Sequence, residues 1–124
     1  MTITRLNLVK IMLSISKMII IQDSDLSSVK DKECYLLFYF TASWCGPCKS
    51  IKSFIDELSE KLDQSLIEIC KIDFDQNQAL AKSAGIKSVP TFILFKKKKR
   101  ISSYSGANKE KISELIKSIS EKTI

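Results

Sequence analysis

The chain alternates between short apolar runs and longer segments whose apolar residues return every three or four positions. "YLLFYF" (35–40) is apolar at every position, as a central strand covered on both faces must be. "KMIIIQ" (17–22) and "SLIEICKIDFD" (65–75) predict two further strands. In "PCKSIKSFIDELSEKLD" (47–63), Ile51, Phe54, Ile55, Leu58 and Leu62 form one stripe behind a first-turn Pro47, which predicts the longest helix. "DSDLSSVKD" (23–31) opens with cap residues and spaces Leu26 and Val29 three apart, and "NQALAKSAG" (77–85) runs from Asn77 to Gly85, so both predict short helices. "TFILFK" (91–96) and "RISSYS" (100–105) predict a hairpin around a lysine-rich turn. "NKEKISELIKSISEK" (108–122), with Ile112, Leu115, Ile116 and Ile119 in register, predicts a closing helix. The order β-α-β-α-β-α-β-β-α implies an α/β fold, a central mixed β-sheet flanked by helices on both faces. Right-handed crossovers place those helices.

At 124 residues, 44% apolar and 27% charged, the chain has the size and balance of one well-cored domain. It shows no internal repeat and no low-complexity tract. Its longest mainly apolar stretch, "IMLSISKMIII" (11–21), is interrupted by Lys17 and too short for a membrane span. The formal charge of +6 resolves into two local features. Arg5, Lys10 and Lys17 stand in an acid-free start, and "KKKKR" (96–100) adds five; without these eight, 12 basic residues face 14 acidic ones. A nucleic-acid footprint needs a basic face built from several elements and interleaved with aromatics, so neither nucleic acid nor membrane is expected as a partner. "KKKKR" reads as a solvated hairpin tip that also discourages edge pairing.

The four cysteines are Cys34, Cys45, Cys48 and Cys70, and there is no histidine. Mixed Cys/His zinc sites are thereby excluded, and a four-cysteine site would want a second close pair; no metal is expected. A domain with this much core has no need of a disulfide framework. Cys34 and Cys70 read as small buried hydrophobes. Asp73 and Asp75, at the end of the third strand, read as caps and solvent-facing residues.

"SWCGPCKS" (43–50) follows the central strand and opens the longest helix, the place where open α/β sheets put their chemistry. A thiol at a helix N-terminus meets unpaired N–H groups and the positive end of the macrodipole, and both favour the reactive thiolate. Lys49 adds positive charge. Cysteines three positions apart can close a small ring, so one resolves the mixed disulfide the other has made. Cys45, before Pro47 at the exposed edge of the turn, is expected to be the nucleophile. Cys48, inside the first helical turn, is expected to be more buried and to resolve. Trp44 is expected to form an apolar wall beside the thiolate.

These residues resemble the thioredoxin family. "WCGPCK" is its most specific signature, and "FYFTASWCGPCKSI", "IDFDQN", "GIKSVPTFILFK" and "SGANKEK" match in order, over roughly residues 17–122. The resemblance implies the thioredoxin fold and a protein-disulfide reductase acting on oxidised proteins. Such a protein binds no cofactor and takes electrons from a thioredoxin reductase and ultimately NADPH. It further implies a cis bond before Pro90, with Val89 and Thr91 flanking a substrate groove and Gly106 and Ala107 on its other rim. Gly46 and Pro47 between the cysteines resemble reductases more than oxidising relatives.

One position departs from the pattern. The family's buried aspartate, six residues before the nucleophile, is here Tyr39, while Lys71, its partner in part of the family, is present. A lysine in that pocket without its carboxylate would favour thiolates. The expectation is a more oxidising couple and slower resolution by Cys48, against the alternative that Lys71 reaches solvent and water does the proton transfer. Two alternatives follow: an oxidase or isomerase of the same fold, and a binding module without turnover.

Residues 1–16 lie outside the resemblance. They are basic, acid-free and rich in hydroxyls, a transit-like composition, although Met18 would also serve as a start. The expected organisation is an extension (1–16) followed by one domain (17–124). The expected form is a cytoplasmic monomer, with an organellar address as the alternative.

Overall fold

The computed structural model describes residues 18–20 and 33–122. The helix expected over 23–31, the extension 1–16 and part of the first strand lie outside the described residues. The elements are β1 (Ile19–Ile20), β2 (Tyr35–Thr41), α1 (Gly46–Lys61), β3 (Ile67–Asp73), α2 (Gln78–Ser83), β4 (Thr91–Lys96), β5 (Lys99–Ser105) and α3 (Lys109–Lys122). The five strands form one sheet in the order β1-β3-β2-β4-β5. β3 is parallel to β1 and β2, whereas β4 is antiparallel to β2 and β5, so the sheet is mixed as the sequence implied.

β2 lies at the centre and is buried at all seven positions. Strand geometry sends alternate side chains to opposite faces. Tyr35, Leu37 and Tyr39 meet Ile51 and Ile55 of α1 and Ile112 and Ile119 of α3. Leu36, Phe38 and Phe40 meet Leu80 and Ala81 of α2. The unbroken apolar run is thus a strand with helices on both sides. Each fully buried Leu, Ile or Phe contributes roughly 1.5–3 kcal/mol, so this strand anchors both halves of the core. Cys70 is fully buried and Cys34 half-buried, both in the α2-side cluster.

α2 ends in paired backbone bonds, Ile86 N–H to Ala81 O and Gly85 N–H to Lys82 O. Gly85 has φ +72°, the left-handed residue such an ending requires. The β4–β5 turn is made by Lys97 and Lys98 at φ 49° and 68°, and Ile101 is the extra residue where Leu94 pairs Ser102 but Phe95 pairs Arg100. Among the described residues no helix is long and apolar enough to cross a membrane.

Candidate active site

β2 ends at Thr41, and the chain turns through Ala42, Ser43 and Trp44 into α1. Cys45 is the N-cap of α1, in extended backbone conformation, and Pro47 falls in the first turn. Proline costs nothing there because its missing N–H has no intrahelical acceptor. Cys45 and Cys48 form a disulfide with Cα atoms 5.2 Å apart. The backbone N–H of Cys48 donates to Cys45 Sγ at 3.1 Å. No acidic residue occupies the first turn of α1, so the positive end of the helix is uncompensated there.

Cys45 was expected to be the exposed sulfur and Cys48 the buried one. Both are 3% exposed, because closing the ring tucks both side chains under the turn. What separates them is position: Cys45 carries the capping contact, and its sulfur lies 3.4 Å from the Val89 carbonyl oxygen, an acceptor for a thiol hydrogen in the dithiol form. Trp44 lies on the surface. It is 63% exposed, and its indole Nε1 donates to Asp75 Oδ2 at 2.7 Å. Ala42, Phe74 and Val89 pack around the two cysteines.

The Val89–Pro90 bond is cis, as the resemblance implied, and brings a second loop to the disulfide. Gly106 N–H donates to Pro90 O at 3.0 Å, joining this loop to the end of β5. Thr91 is buried, and its hydroxyl donates to Ser88 O at 2.7 Å. Having spent its hydrogen there, Thr91 Oγ1 accepts from Ser105 Oγ at 2.9 Å. Thr91 therefore ties the cis-proline loop to the end of β5. Ala107 is half-buried and packs against the α1/α3 cluster. Gly106 sits at φ +138°, and a Cβ there would fall 2.5 Å from the Tyr104 hydroxyl. Gly46 and Pro47 are exposed, and a Cβ at Gly46 would meet nothing within 4 Å.

Behind the disulfide lies a cavity of about 330 Å³ whose lining includes Tyr39, Cys48, Lys49 and Lys71. Tyr39 is buried, stacks on Phe92 with ring centroids 5.0 Å apart, and donates to Thr41 Oγ1 at 3.3 Å. Burial pushes its phenol up from 10.0, the Thr41 hydrogen bond lowers it, and the charge of Asp56 raises it further. The cavity is not without a carboxylate, since Asp56 and Asp73 line it too. Asp56 had a signal in the sequence: Cys48, Lys52 and Asp56 are spaced by four and share one helical face. Asp75 had none, because its partner is 31 residues away. Asp73 does cap, as expected, its Oδ1 accepting from the N–H groups of Asp75 and Gln76 at 2.9 and 3.0 Å. Among the described residues no group of three or more His, Cys, Asp or Glu is placed to hold a metal.

A cysteine pair closed at a helix start, faced by a cis-proline loop on a mixed sheet, defines a thiol–disulfide oxidoreductase. The thioredoxin family model matches residues 17–118. The horse (Equus caballus) thioredoxin is 45% identical over 80 residues, covering 64% of this chain and 74% of that protein. The human protein is 46% identical over 77 residues, covering 62% and 71%. Among solved structures, Schistosoma mansoni thioredoxin superposes with a TM-score of 0.76 at 36% identity, covering 84% of this chain and 96% of that one. Malassezia sympodialis thioredoxin gives 0.78 at 27% identity, covering 85% and 92%. The chain belongs to the thioredoxin family, and it is a disulfide oxidoreductase with thioredoxin function.

Proposed function

We propose that Cys45 is the attacking thiol and Cys48 the resolving thiol in the reduction of protein disulfides. The observation that carries the assignment is the Cys48 N–H resting on Cys45 Sγ at an uncompensated helix N-terminus. A donor on the sulfur and the helix field both favour thiolate at Cys45. That thiolate attacks one substrate sulfur, and the other leaves as thiolate with the bond's electron pair. Cys48, deprotonated, then attacks Cys45 Sγ; the Cys45–Cys48 bond forms, the mixed disulfide breaks, and the second substrate sulfur leaves as thiolate. Two electrons pass to the substrate. The substrate lies across Trp44, Val89, Pro90 and Gly106, above the brace formed by Thr91.

The oxidised pair is returned to dithiol by a thioredoxin reductase drawing on NADPH, and the chain acts as the electron carrier between them without a cofactor of its own. The test is the reduction potential of the Cys45–Cys48 couple, equilibrated in thiol/disulfide buffers and followed through Trp44 fluorescence. A value well below the cytosolic glutathione poise is expected of a reductase. A value near or above it would move the assignment to an oxidase or isomerase.

A further inference from the structure

The resolving step needs the Cys48 thiol to lose a proton before its sulfur attacks. Cys48 is 3% exposed in the closed pair and lines the space behind it, which offers that proton a way out. The cavity on which Cys48 opens is about 330 Å³, room for several water molecules. A second cavity of about 400 Å³ is lined by Ser59 and Glu60 as well. Asp56, Lys52, Lys71 and Met18 line both, so Asp56 stands where the chamber behind Cys48 adjoins the second. Of the two acids in the chamber behind Cys48, Asp73 has Oδ1 committed to the N–H groups of Asp75 and Gln76. Lys49, Lys52 and Lys71 are cations and have no lone pair to offer while charged. Tyr39 holds its phenolic proton more tightly than usual, chiefly through burial and partly through the charge of Asp56.

We propose that Asp56 is the positioning residue for proton removal in resolution, accepting the Cys48 proton through water in the chamber behind Cys48 and releasing it to solvent. The residue at 39 is then a wall of this chamber. The step balances. The Cys48 proton passes to water and on to the Asp56 carboxylate, and Cys48 sulfur attacks Cys45 Sγ. The Cys45–substrate bond breaks with its electron pair on the leaving sulfur, and Asp56 returns its proton to solvent. The proposal rests on the assignment of Cys48 as the resolving thiol.

The two are separated by stopped-flow reaction of the reduced protein with an aromatic disulfide whose leaving thiolate is coloured. Phases lost in Cys45→Ser belong to the pair. The wild type releases one equivalent on attack and a second on resolution; Cys48→Ser releases the first alone. If Cys48→Ser still releases both, the assignment of the resolving thiol fails. With that assignment standing, Asp56→Asn is expected to keep the first phase and slow the second by ~10-fold or more. The acid-side inflection of the second phase's pH profile should disappear, and Asp56→Glu should restore rate and inflection. A second phase unchanged in Asp56→Asn overturns the proposal. So does equal slowing in Asn and Glu variants with the wild-type inflection kept, which would mark a packing role.

Discussion

The indole N–H of Trp44 is held by the carboxylate of Asp75 at 2.7 Å across 31 residues of chain. Asp75 is aimed by the turn that follows β3, where Asp73 Oδ1 collects two backbone N–H groups. The third strand's end thus sets the pose of the residue that precedes Cys45. The pair is exposed, so its weight in folding is small, and its consequence lies in how the rim meets a substrate.

Asp75→Ala is therefore expected to leave thermal stability nearly unchanged while lowering kcat/KM for a protein disulfide about fivefold. That corresponds to about 1 kcal/mol for one lost hydrogen bond to a charged group in a solvated setting. Trp44 emission in the reduced protein should change with it. Steady-state reduction of a disulfide-containing protein, beside a thermal melt, checks both; a large drop in Tm with unchanged turnover would contradict the rim role.

Tyr39 gives a stability prediction with a definite sign. Its folded-state ionisation is pushed above the unfolded value of 10.0, first by burial. Above pH 10 the unfolded chain loses the phenolic proton while the folded one retains it, so stability falls as pH rises through that range. Below it the contribution is fully present. Tyr39→Phe should cost about 1 kcal/mol or less at neutral pH, since the bond to Thr41 is long. Its denaturation midpoint should also decline less steeply above pH 10 than the wild type's. Denaturant melts of both proteins on either side of that pH decide it; parallel declines would mean Tyr39 is not the group responsible.

Much of this was legible because the apolar pattern is strong where burial is two-sided. The run 35–40 and the stripes of the two long helices admit one reading, since any slip would expose half a core. The cysteine pair was equally plain, as was its place at a helix start. Burial and pairing across distance were not legible. Cys45 looked exposed because local sequence cannot show a ring closing beneath Val89 and Phe74. The hold of Asp75 on the Trp44 indole was not legible either, because nothing near residue 44 announces Asp75. The chamber behind Cys48 looked empty of carboxylate because attention to position 39 hides an acid eight residues along the helix from Cys48, which only the fold sets opposite Lys71.

The hairpin tip carries a different kind of misfit. Lys97 and Lys98 both occupy left-handed backbone positions, which suit Asn-Gly and disfavour residues with long side chains. Replacing them with Asn and Gly should raise stability by about 1 kcal/mol, or roughly 4 °C in Tm. β4 leaves the active end at Thr91 and reaches the turn after Lys96, so turnover should not change. A melt and a reductase assay on the double variant check this.

Gly106 closes the site from the side of β5, and two separate constraints act on it. Its φ of +138° is open to glycine, and the space a Cβ would need is filled by the Tyr104 hydroxyl. That hydroxyl also accepts from Asn108 N–H at 3.1 Å, just where Asn108 Oδ1 caps α3 through Lys111 N–H. Gly106→Ala is thus expected to destabilise by about 1–3 kcal/mol from backbone strain, with a further loss from displacing Tyr104. It should also weaken protein-substrate turnover, because Gly106 N–H holds the Pro90 carbonyl. Tyr104→Phe removes the atom nearest the added methyl. In that background the cost of Gly106→Ala should shrink but not vanish, because the backbone strain remains and the ring carbon Cζ still lies 3.0 Å from the added carbon. A double-mutant cycle of denaturant midpoints separates the two contributions; additive costs would mean that Tyr104 does not shape this turn.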